Sequence, residues 1–421
     1  MARIAIIGTG IAGMGAAWYL HKEHDITLFE ADHRIGGHTH TVFVEEGDKQ
    51  IPIDTGFIVF NNETYPRLLS LFRALQVPVK KTNMSFAAQV VQDGLEYCGS
   101  SLNQLFAQRK RLFSPRYIRF LIQLNAFNKS GLEVLENPAY QEMSIVDYIT
   151  HKGYHPDLLN WYLLPMSSAL WSTPPNTTAL FPVVTLVRFF NNHGFLGLHT
   201  QFQWYTVDGG SEVYKQLLIA PFKEKIQVQN AITRVERNAG QVILTDSKGN
   251  QHVFDQVIIA THGDQALRLL AQPTADEKRL LSQFTYELNT ATLHTDASIM
   301  PKKKRAWSSW NYRTEVLDGK YVSSCTYWMN SLQGVSQQQN YFVTINNPGI
   351  IQKQKICRVI DYEHPIFTVE AMQAQQELAK LNENGSVYFC GSYFRYGFHE
   401  DALMSAALVC EQILGLPIPV S

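Results

Sequence analysis

The sequence predicts an α/β fold in which two domains are interleaved along the chain, and three observations lead to this prediction. The chain opens with a short apolar run, Arg3-Ile4-Ala5-Ile6-Ile7, which passes through glycines into a helical pattern. Two further apolar runs that end in small residues, 254–261 and 387–392, follow far along the chain. Strands of this kind, joined by helices, form parallel sheets covered on both faces, a three-layer arrangement. The remaining segments, 84–205 and 286–380, are expected to form a second domain of α+β type.

Composition excludes several classes of protein. The 421 residues are 45% apolar and 12% aromatic but 17% charged, against a usual charged fraction of roughly 25%, which excludes intrinsic disorder. Lys and Arg number 36 against 37 Asp and Glu, so the formal charge of −1 gives no general electrostatic basis for binding nucleic acid. Five cysteines without CxxC or metal-ligand spacing predict reduced thiols, no metal site and a cytoplasmic protein.

The N-terminal glycines form a candidate phosphate cradle. Gly8 would permit a tight turn, and Gly10 would let the backbone approach a pyrophosphate. Gly13 would permit close packing of the helix on the strand. Ile11 and Ala12 begin the predicted helix, whose N-terminus favours phosphate charge.

A second predicted strand, Asp25-Ile26-Thr27-Leu28-Phe29, follows the helix and ends in Glu30. An acid roughly 20 residues beyond the glycines is the residue type that binds ribose hydroxyls in dinucleotide-binding folds. The alternative is a glycine-rich βα unit that binds nothing. In both cases the uncharged run from Ile4 to Leu20 is a strand and a helix rather than a signal peptide or a membrane span.

The residues from Glu30 onward indicate which dinucleotide would bind. The run Glu30-Ala31-Asp32-His33-Arg34-Ile35-Gly36-Gly37 resembles the second fingerprint of FAD enzymes of the glutathione-reductase-like type. By that resemblance, Arg34 and the glycine pair pass under the FAD pyrophosphate. The segments 207–228, 254–261 and 387–402 look like further parts of the same cofactor domain.

Together these segments resemble the flavin-containing amine oxidoreductase superfamily over most of the chain. A narrower resemblance is to a bacterial subgroup of FAD oxidoreductases that is similar to the N-terminal flavoprotein extension of long plant cyclopropane-fatty-acid synthases. The segments that carry it are 36–41, 54–61 and 307–312. The resemblance implies a Rossmann-like FAD-binding domain interleaved with an α+β substrate domain, as in amine oxidases and phytoene desaturases. The implied FAD-binding segments are 1–83, 206–285 and 381–421, and the substrate-binding segments are 84–205 and 286–380.

The resemblance also implies non-covalent FAD and a dispersed set of residues that bind it. Val228 would contact the adenine, and the turn after Gly391 would meet the ribityl chain and the isoalloxazine. One departure is visible, because the family often has glycine where this chain has Ala402. The cofactor-binding candidates are Gly8, Gly10, Ile11, Ala12, Gly13, Glu30, Ala31, Arg34, Gly36, Gly37, His38, Thr39, Thr55, Gly56, Phe57, Val228, Ala260, Thr261, Gly391, Ser392, His399, Glu400, Asp401 and Ala402.

The candidate catalytic residues are His294, His38 and Tyr396. The two histidines, with His40, could handle protons because imidazole titrates near neutral pH. The alternative is that each histidine hydrogen-bonds backbone around the cofactor. Tyr396 and its neighbour Tyr393 could form a wall on the substrate side of the flavin, or could simply pack in the core.

The segment from Trp161 to Phe195 is rich in aromatic residues, which suits either a helical core or an apolar substrate tunnel. The run 109–121 interleaves five cations with apolar residues. It could be a solvated helix or an interfacial helix that holds the protein at the inner face of a membrane. A second basic run, 302–305, is expected to be a loop.

The preferred interpretation is an FAD-dependent oxidoreductase that oxidises or desaturates an apolar substrate, such as a lipid acyl chain, by hydride transfer to flavin N5. One alternative is a flavin amine oxidase. It is weakened because the strand Ala291-Thr292-Leu293-His294, matched by resemblance to one that carries a lysine in many amine oxidases, has none. The other alternative is an FAD-bound, non-catalytic partner of a lipid-modifying enzyme.

Overall fold

The computed structural model describes residues 1–171, 175–192, 194–197, 202–383 and 385–420. In chain order, its strands are β1 (Arg3–Ile7), β2 (Asp25–Phe29), β3 (Thr41–Glu46), β4 (Lys49–Asp54), β5 (Phe60–Asn61), β6 (Val79–Thr82), β7 (Phe86–Val90), β8 (Leu95–Cys98), β9 (Trp204–Val207), β10 (Ile226–Gln227), β11 (Ile232–Asn238), β12 (Gln241–Asp246), β13 (Gln251–Phe254), β14 (Gln256–Ile259), β15 (Thr285–His294), β16 (Trp310–Leu317), β17 (Lys320–Trp328), β18 (Phe342–Ile345), β19 (Ile356–Ile366) and β20 (Val387–Phe389).

The α-helices, again in chain order, are α1 (Ile11–Leu20), α2 (Pro66–Ala74), α3 (Leu102–Leu105), α4 (Pro115–Ser130), α5 (Glu133–Glu136), α6 (Ile145–His151), α7 (Pro156–Leu158), α8 (Leu164–Trp171), α9 (Pro175–Thr178), α10 (Val183–Asn192), α11 (Ser211–Ile219), α12 (Gly263–Leu269), α13 (Ala275–Leu281), α14 (Met329–Leu332), α15 (Val369–Gln375) and α16 (His399–Leu414). Short 3-10 turns include Arg109–Phe113, Lys304–Ala306 and Ser392–Phe394.

Two large sheets organise the chain. A parallel sheet has the strand order β10-β2-β1-β14-β20, with Arg3 opposite Asp25 and Ile4 opposite Gln256. A seven-stranded mixed sheet has the order β19-β15-β18-β17-β16-β7-β8. Three smaller sheets have the strand orders β11-β12-β13, β3-β4 and β5-β9-β6. The predicted α/β fold is confirmed.

The first βα unit forms where the sequence predicts it. Residues 4–7 of β1 are buried because α1 packs on one face of the parallel sheet and the sheet β11–β13 packs on the other, where Ala5 and Ile7 share a core with Leu244. Helix α1 is apolar around most of its circumference, as expected of a helix buried in a core. It packs against α16, and a Cβ placed on Gly15 would lie 2.4 Å from the Leu403 side chain. The two ends of the chain therefore meet beside the parallel sheet.

The run 109–121 does not form the single interfacial helix that the sequence allows. Residues Arg109–Phe113 form a 3-10 turn, and α4 begins at Pro115 with Ser114 as its N-cap. Proline is favoured in the first turn of a helix and disfavoured further in, which divides the run at this point. The basic run 302–305 is a bend followed by the 3-10 turn Lys304–Ala306. No helix among the described residues is long and apolar enough to cross a membrane.

Candidate cofactor and substrate site

A cavity of about 860 Å³ opens at the carboxyl ends of the parallel strands and reaches the aromatic side chains of the mixed sheet. It lies beside β1, where the strand order reverses between β2 and β14, the usual position of a ligand in an open α/β sheet. Ligand pockets commonly have volumes of roughly 300–1,000 Å³, so this cavity suits a large ligand.

The glycine turn has the geometry of a phosphate cradle. Gly8 has φ +99°, and a Cβ there would lie 2.8 Å from the Ala260 carbonyl oxygen. A Cβ on Gly13 would lie 1.9 Å from the Gly8 carbonyl oxygen, so α1 packs directly on the turn. At Gly10, by contrast, no atom of the described residues lies within 4 Å of the Cβ position, and Gly10 lines the cavity. The N-terminus of α1 therefore faces open space at its first residues.

Glu30 is fixed at the end of β2. Its Oε2 accepts hydrogen bonds from the backbone N–H and the hydroxyl of Thr9, at 3.0 and 2.5 Å. Its Oε1 accepts a bond from the Asp32 backbone at 3.0 Å. The carboxylate lines the cavity together with Ala31 and Asp32. It is thus held rigidly at the place where a ribose would lie next to the glycine turn.

Arg34 organises the loop that follows rather than lining the cavity. Its guanidinium donates to the carbonyl oxygens of Gly37, at 2.8 Å, and Thr39, at 3.2 Å. Gly37 has φ +56°, and its Cβ position lies 3.3 Å from the Gly10 Cα. The arginine therefore presses the glycine pair against the phosphate cradle, and Gly37 lines the cavity there.

The turn after β4 crosses the same loop. A Cβ on Gly56 would lie 2.2 Å from the His38 carbonyl oxygen, and the Phe57 N–H donates to that oxygen at 2.8 Å. Asp54 is buried just before this turn and accepts bonds from Thr41, Ser211 and Gln333. Burial raises its pKa to about 6. Asp54 thus positions Gly56 and Phe57 at the cavity wall without reaching it.

The N-terminus of α16 contributes His399 and Ala402 to the wall. The His399 ring stacks on Phe57 at 3.9 Å between centroids, and its Nε2 lies 2.5 Å from the Tyr214 hydroxyl. Burial lowers the pKa of His399 to about 3, so its ring is neutral at physiological pH.

The acids Glu400 and Asp401 cap helices instead of facing the cavity. Glu400 accepts the N–H groups of Arg67 and Leu68 at 2.8 Å, which caps the start of α2. Asp401 accepts the N–H of Phe398 at 2.9 Å and caps its own helix. Burial raises the pKa of Glu400 to about 7 and that of Asp401 to about 6.

A cluster of histidines forms the polar wall of the cavity where it meets strand β19. The rings of His38 and His364 are 5.2 Å apart, and His262 stacks on Tyr286 at 4.1 Å. His262 Nδ1 lies 3.2 Å from a carboxylate oxygen of Glu363. Burial, and then the charges of neighbouring histidines, hold the pKa of His38 well below its usual value; burial lowers that of His364 to about 4. His38 and His364 are therefore neutral at physiological pH.

The opposite end of the cavity is apolar. Phe398, next to His399, stacks on Phe189 at 5.2 Å, and Trp310 meets Tyr327 edge-on at 5.5 Å. The described residues that line this end are Tyr65, Met84, Phe189, Phe195, Trp204, Trp310, Tyr327 and Phe398. No carboxylate or lysine is among these eight side chains.

Most of the predicted cofactor residues come together in this one cavity. The predicted residues that line it are Gly8, Gly10, Ile11, Ala12, Glu30, Ala31, Gly37, His38, Gly56, Phe57, Ala260, Thr261, Gly391, Ser392, His399 and Ala402. The predicted residues that do not line it are Gly13, Arg34, Gly36, Thr39, Thr55, Val228, Glu400 and Asp401. Apart from Val228, the other seven pack or cap the elements that form the wall.

Val228 lies outside the cavity and is 39% exposed. The chain turns immediately after it, because Gln229 has φ +51°, and β10 contains only Ile226 and Gln227. Ala231, Ile232 and Thr233, at the start of β11, occupy the wall that the sequence assigned to Val228. Ile232 is the apolar first residue of β11, and this position could have indicated from the sequence that it lines the cavity.

Two of the three predicted catalytic residues lie away from the cavity. His294 is fully buried in the mixed sheet and bonds to the Thr344 hydroxyl at 2.8 Å. It does not line the cavity, although the register of Leu293 opposite Val343 and of Val343 opposite Tyr327 places this end of β15 only two strands from the cavity residue Tyr327. Tyr396 lies beside Arg395 on a turn, and Tyr393 lines the cavity in its place. His38 is the predicted catalytic residue that does line it.

Several wall residues escaped the sequence analysis. His262 directly follows the predicted pair Ala260 and Thr261, so its position next to a strand end was a usable signal. Glu363 and His364 lie on β19, an edge strand without a recognisable motif, and nothing local marks them.

The parallel sheet, with its glycine turn and the cavity at its carboxyl edge, has the architecture of a dinucleotide-binding α/β fold. The chain belongs to the family of flavin-containing amine oxidoreductases, whose family model matches residues 11–345. It is therefore an enzyme of that family, and the family implies FAD as its cofactor. No curated protein matches the chain by sequence comparison.

Solved structures show the same fold at low identity. Cyclohexylamine oxidase from Brevibacterium oxydans IH-35A has a TM-score of 0.70 and 16% identity over 98% of this chain and 99% of its own. Putrescine oxidase bound to putrescine has a TM-score of 0.69 and 12% identity, over the same shares of the two chains. A CLA-producing fatty acid isomerase from P. acnes has a TM-score of 0.64 and 13% identity over 99% of both chains.

The residues on the cavity wall fit an FAD. Nε2 of His38, Nδ1 of His364 and the hydroxyl of Tyr393 are buried there without a hydrogen-bond partner among the described residues. Buried polar atoms are nearly always satisfied, so these three call for a ligand with donors and acceptors. The open face at Gly10 and the fixed carboxylate of Glu30 suit a pyrophosphate and a ribose.

Proposed function

We propose that this enzyme uses non-covalently bound FAD to oxidise or desaturate an apolar substrate, specifically the acyl chain of a lipid. The observation that carries the proposal is the apolar end of the cavity, where eight apolar or aromatic side chains continue from His399 without a carboxylate or a lysine. Such a wall would exclude water and hold hydrocarbon, and it offers no counter-charge to an ammonium group.

The cradle from Gly8 to Ala12, Glu30, Gly37 and the start of β11 would hold the cofactor. When bound, FAD supplies a two-electron acceptor that can take hydride from a C–H bond. Phe57, His399 and Ala402 line the cavity, where the His399 ring stacks on Phe57 next to Phe398. Their task is to place the substrate and to keep water out, because neither His399 nor Phe57 carries charge at physiological pH.

His38 is the residue placed to accept a proton. Its Nε2 faces the cavity wall without a partner among the described residues, and burial keeps the ring neutral. His399 is less suited to this role because its Nε2 is already bonded to Tyr214. His38→Asn should therefore lower kcat more than it raises KM, whereas His40→Asn, outside the cavity, should leave the ratio of the two constants unchanged.

One observation favours amine oxidation as a second candidate. Glu363 lines the cavity next to His262, and its carboxylate could pair with a substrate ammonium. In that case Glu363→Gln should abolish reduction of the flavin by amines.

The two candidates can be separated by anaerobic reduction of the purified holoenzyme. Fatty acids, dispersed phospholipids, alkylamines and a polyamine are mixed with it separately, and bleaching of the flavin absorbance is followed. Bleaching by acyl compounds supports the proposal, and bleaching by amines alone supports the second candidate. A flavin that no compound reduces would refute both and leave the non-catalytic partner.

Two variants test whether the apolar end of the cavity holds the substrate. Trp310→Ala opens the apolar end and should slow reduction by acyl compounds at least about tenfold, the effect of roughly 1.4 kcal/mol. Trp307→Ala is the matched control, because Trp307 is likewise half-buried but lies outside the cavity. Equal rates in the two variants would contradict the assignment of the apolar end to substrate.

A further inference from the structure

Two basic runs that are far apart in the sequence lie side by side around helix α3. The 3-10 turn Lys304–Ala306 contacts α3 on one side. On the other, the Arg109 guanidinium donates to the carbonyl oxygens of Asn103 and Phe106, at 3.2 and 2.9 Å. We call the surface formed by Leu102, residues 109–113 and residues 302–305 the basic face.

The positive charge of the basic face is not neutralised by neighbouring acids. Arg109 bonds to carbonyl groups and to the side chain of Asn103, and Arg111 bonds to the carbonyls of Asp93 and Gly94. These acceptors are neutral. The surface carries seven cations, namely Arg109, Lys110, Arg111, Lys302, Lys303, Lys304 and Arg305.

Two acids near the basic face, Glu96 and Asp93, have carboxylates that are hydrogen-bonded to groups other than its cationic side chains. Glu96 is buried and accepts the backbone N–H groups of Lys302 and Lys303, at 3.0 and 3.1 Å, which leaves the lysine side chains exposed. Asp93 is paired with Arg116 and bonded to the Trp161 indole. The net charge of the surface therefore stays strongly positive in a chain whose formal charge is −1.

Large apolar side chains project from the same surface. Phe113 is 88% exposed, Leu102 70% and Leu112 48%. Exposed apolar residues are common singly, but here three occur beside seven cations. A purely electrostatic partner does not need them, whereas a lipid bilayer offers anionic headgroups to the cations and acyl chains to Phe113 and Leu112.

We propose that the basic face docks the protein on an anionic lipid bilayer, with Phe113 and Leu112 inserted among the headgroups. This differs from an amphipathic helix over 109–121, because Arg116 and Arg119 lie beside the Asp157 carboxylate, at 2.6 and 3.7 Å, and contribute little to the face. The second run, 302–305, takes their place. The proposal is independent of which substrate the enzyme oxidises.

The test is co-sedimentation of the flavin-loaded full-length protein with vesicles of phosphatidylcholine alone or with added phosphatidylserine. We expect binding to the anionic vesicles that weakens as salt is raised. Each Lys or Arg near an anionic surface contributes roughly a fivefold gain in partitioning. The double variant Lys110→Ala/Lys303→Ala should therefore lower partitioning by at least about tenfold.

Matched variants separate the basic face from the rest of the surface. Lys49→Ala/Lys223→Ala removes two exposed lysines elsewhere and should leave binding unchanged. Phe113→Ser should weaken binding at high salt, whereas Phe43→Ser, at a 51% exposed phenylalanine on β3, should not. Thermal unfolding and flavin content confirm that each variant is folded.

Three outcomes would overturn the proposal: equal binding to neutral and anionic vesicles, equal losses in the variants and their controls, or binding of single-stranded nucleic acid with no binding to either vesicle.

Discussion

Gly10 is the position where a substitution should remove the cofactor without disturbing the fold. Its backbone has φ −63° and ψ 177°, which any L-amino acid can adopt. No atom of the described residues lies within 4 Å of its Cβ position, and that position faces the cavity. A leucine at residue 10 would therefore occupy the space at the N-terminus of α1 where the pyrophosphate is expected.

The size of the effect follows from what the leucine displaces. Moving the pyrophosphate away from the helix N-terminus forfeits at least one hydrogen bond to a charged group, about 1.5–3 kcal/mol. Gly10→Leu should therefore raise the Kd for FAD about 10- to 150-fold. The apoprotein should change in stability by no more than about 0.5 kcal/mol, because nothing in the protein is displaced.

The assay is titration of the apoprotein with FAD, followed by quenching of flavin fluorescence, together with urea unfolding of the apoprotein. Gly99→Leu is the matched control, since its Cβ position is equally open and lies outside the cavity. Gly13→Ala should instead destabilise the fold. Its Cβ would lie 1.9 Å from the Gly8 carbonyl oxygen, so the free energy of unfolding should fall by about 1–3 kcal/mol or more. An unchanged Kd for FAD in Gly10→Leu would refute the cradle.

Three further outcomes follow from the same contacts. Ala231→Trp should weaken FAD binding about tenfold or more, the effect of roughly 1.4 kcal/mol, while Val228→Trp should leave it unchanged, because Ala231 lines the cavity and Val228 does not; equal effects in a fluorescence titration would contradict binding of FAD beside Ala231. Tyr214→Phe should cost about 1–3 kcal/mol in urea unfolding, because Thr39 and His399 both lose a buried partner at 2.5 Å; a cost indistinguishable from zero would contradict that network. Burial raises the pKa of Glu400 above its unfolded value, so ionisation of this carboxyl destabilises the fold as pH rises from about 4.5 to about 7; the Tm of Glu400→Gln relative to wild type should rise over that interval, and a constant difference in Tm would contradict this expectation.

The sequence predicts those parts of the site that are formed by residues close together in the chain. The strand Arg3–Ile7, the glycine turn and α1 follow from local rules, because each residue acts on its own neighbours. Strand β20 and helix α16 are marked in the same way, by an apolar run that ends at Gly391 and by the helical pattern that follows His399. Their assembly around one cavity is what the structure adds.

Val228 and His294 were predicted at the site but do not line the cavity, and the two cases share a cause. Whether a residue reaches the cavity depends on exactly where its strand or turn ends. One left-handed residue, Gln229, follows β10 and Val228, and Ile232 on the next strand lines the cavity where Val228 does not. On β15, Tyr286 lines the cavity, whereas His294, eight residues further along the strand, does not. Neither boundary is visible in residue types alone.

The cluster of His38, His262 and His364 shows why the titratable part of the site could not be found in the sequence. Its members come from the loop after β2, the end of β14 and the edge strand β19, and they meet only because the mixed sheet packs its edge against the cofactor cradle. Their neutrality has the same origin: burial lowers the pKa of His38 and of His364, and the rings then oppose each other's protonation. A histidine on a solvated loop would titrate near neutral pH. The packing that hides these residues from sequence analysis is thus also what keeps His38 and His364 neutral.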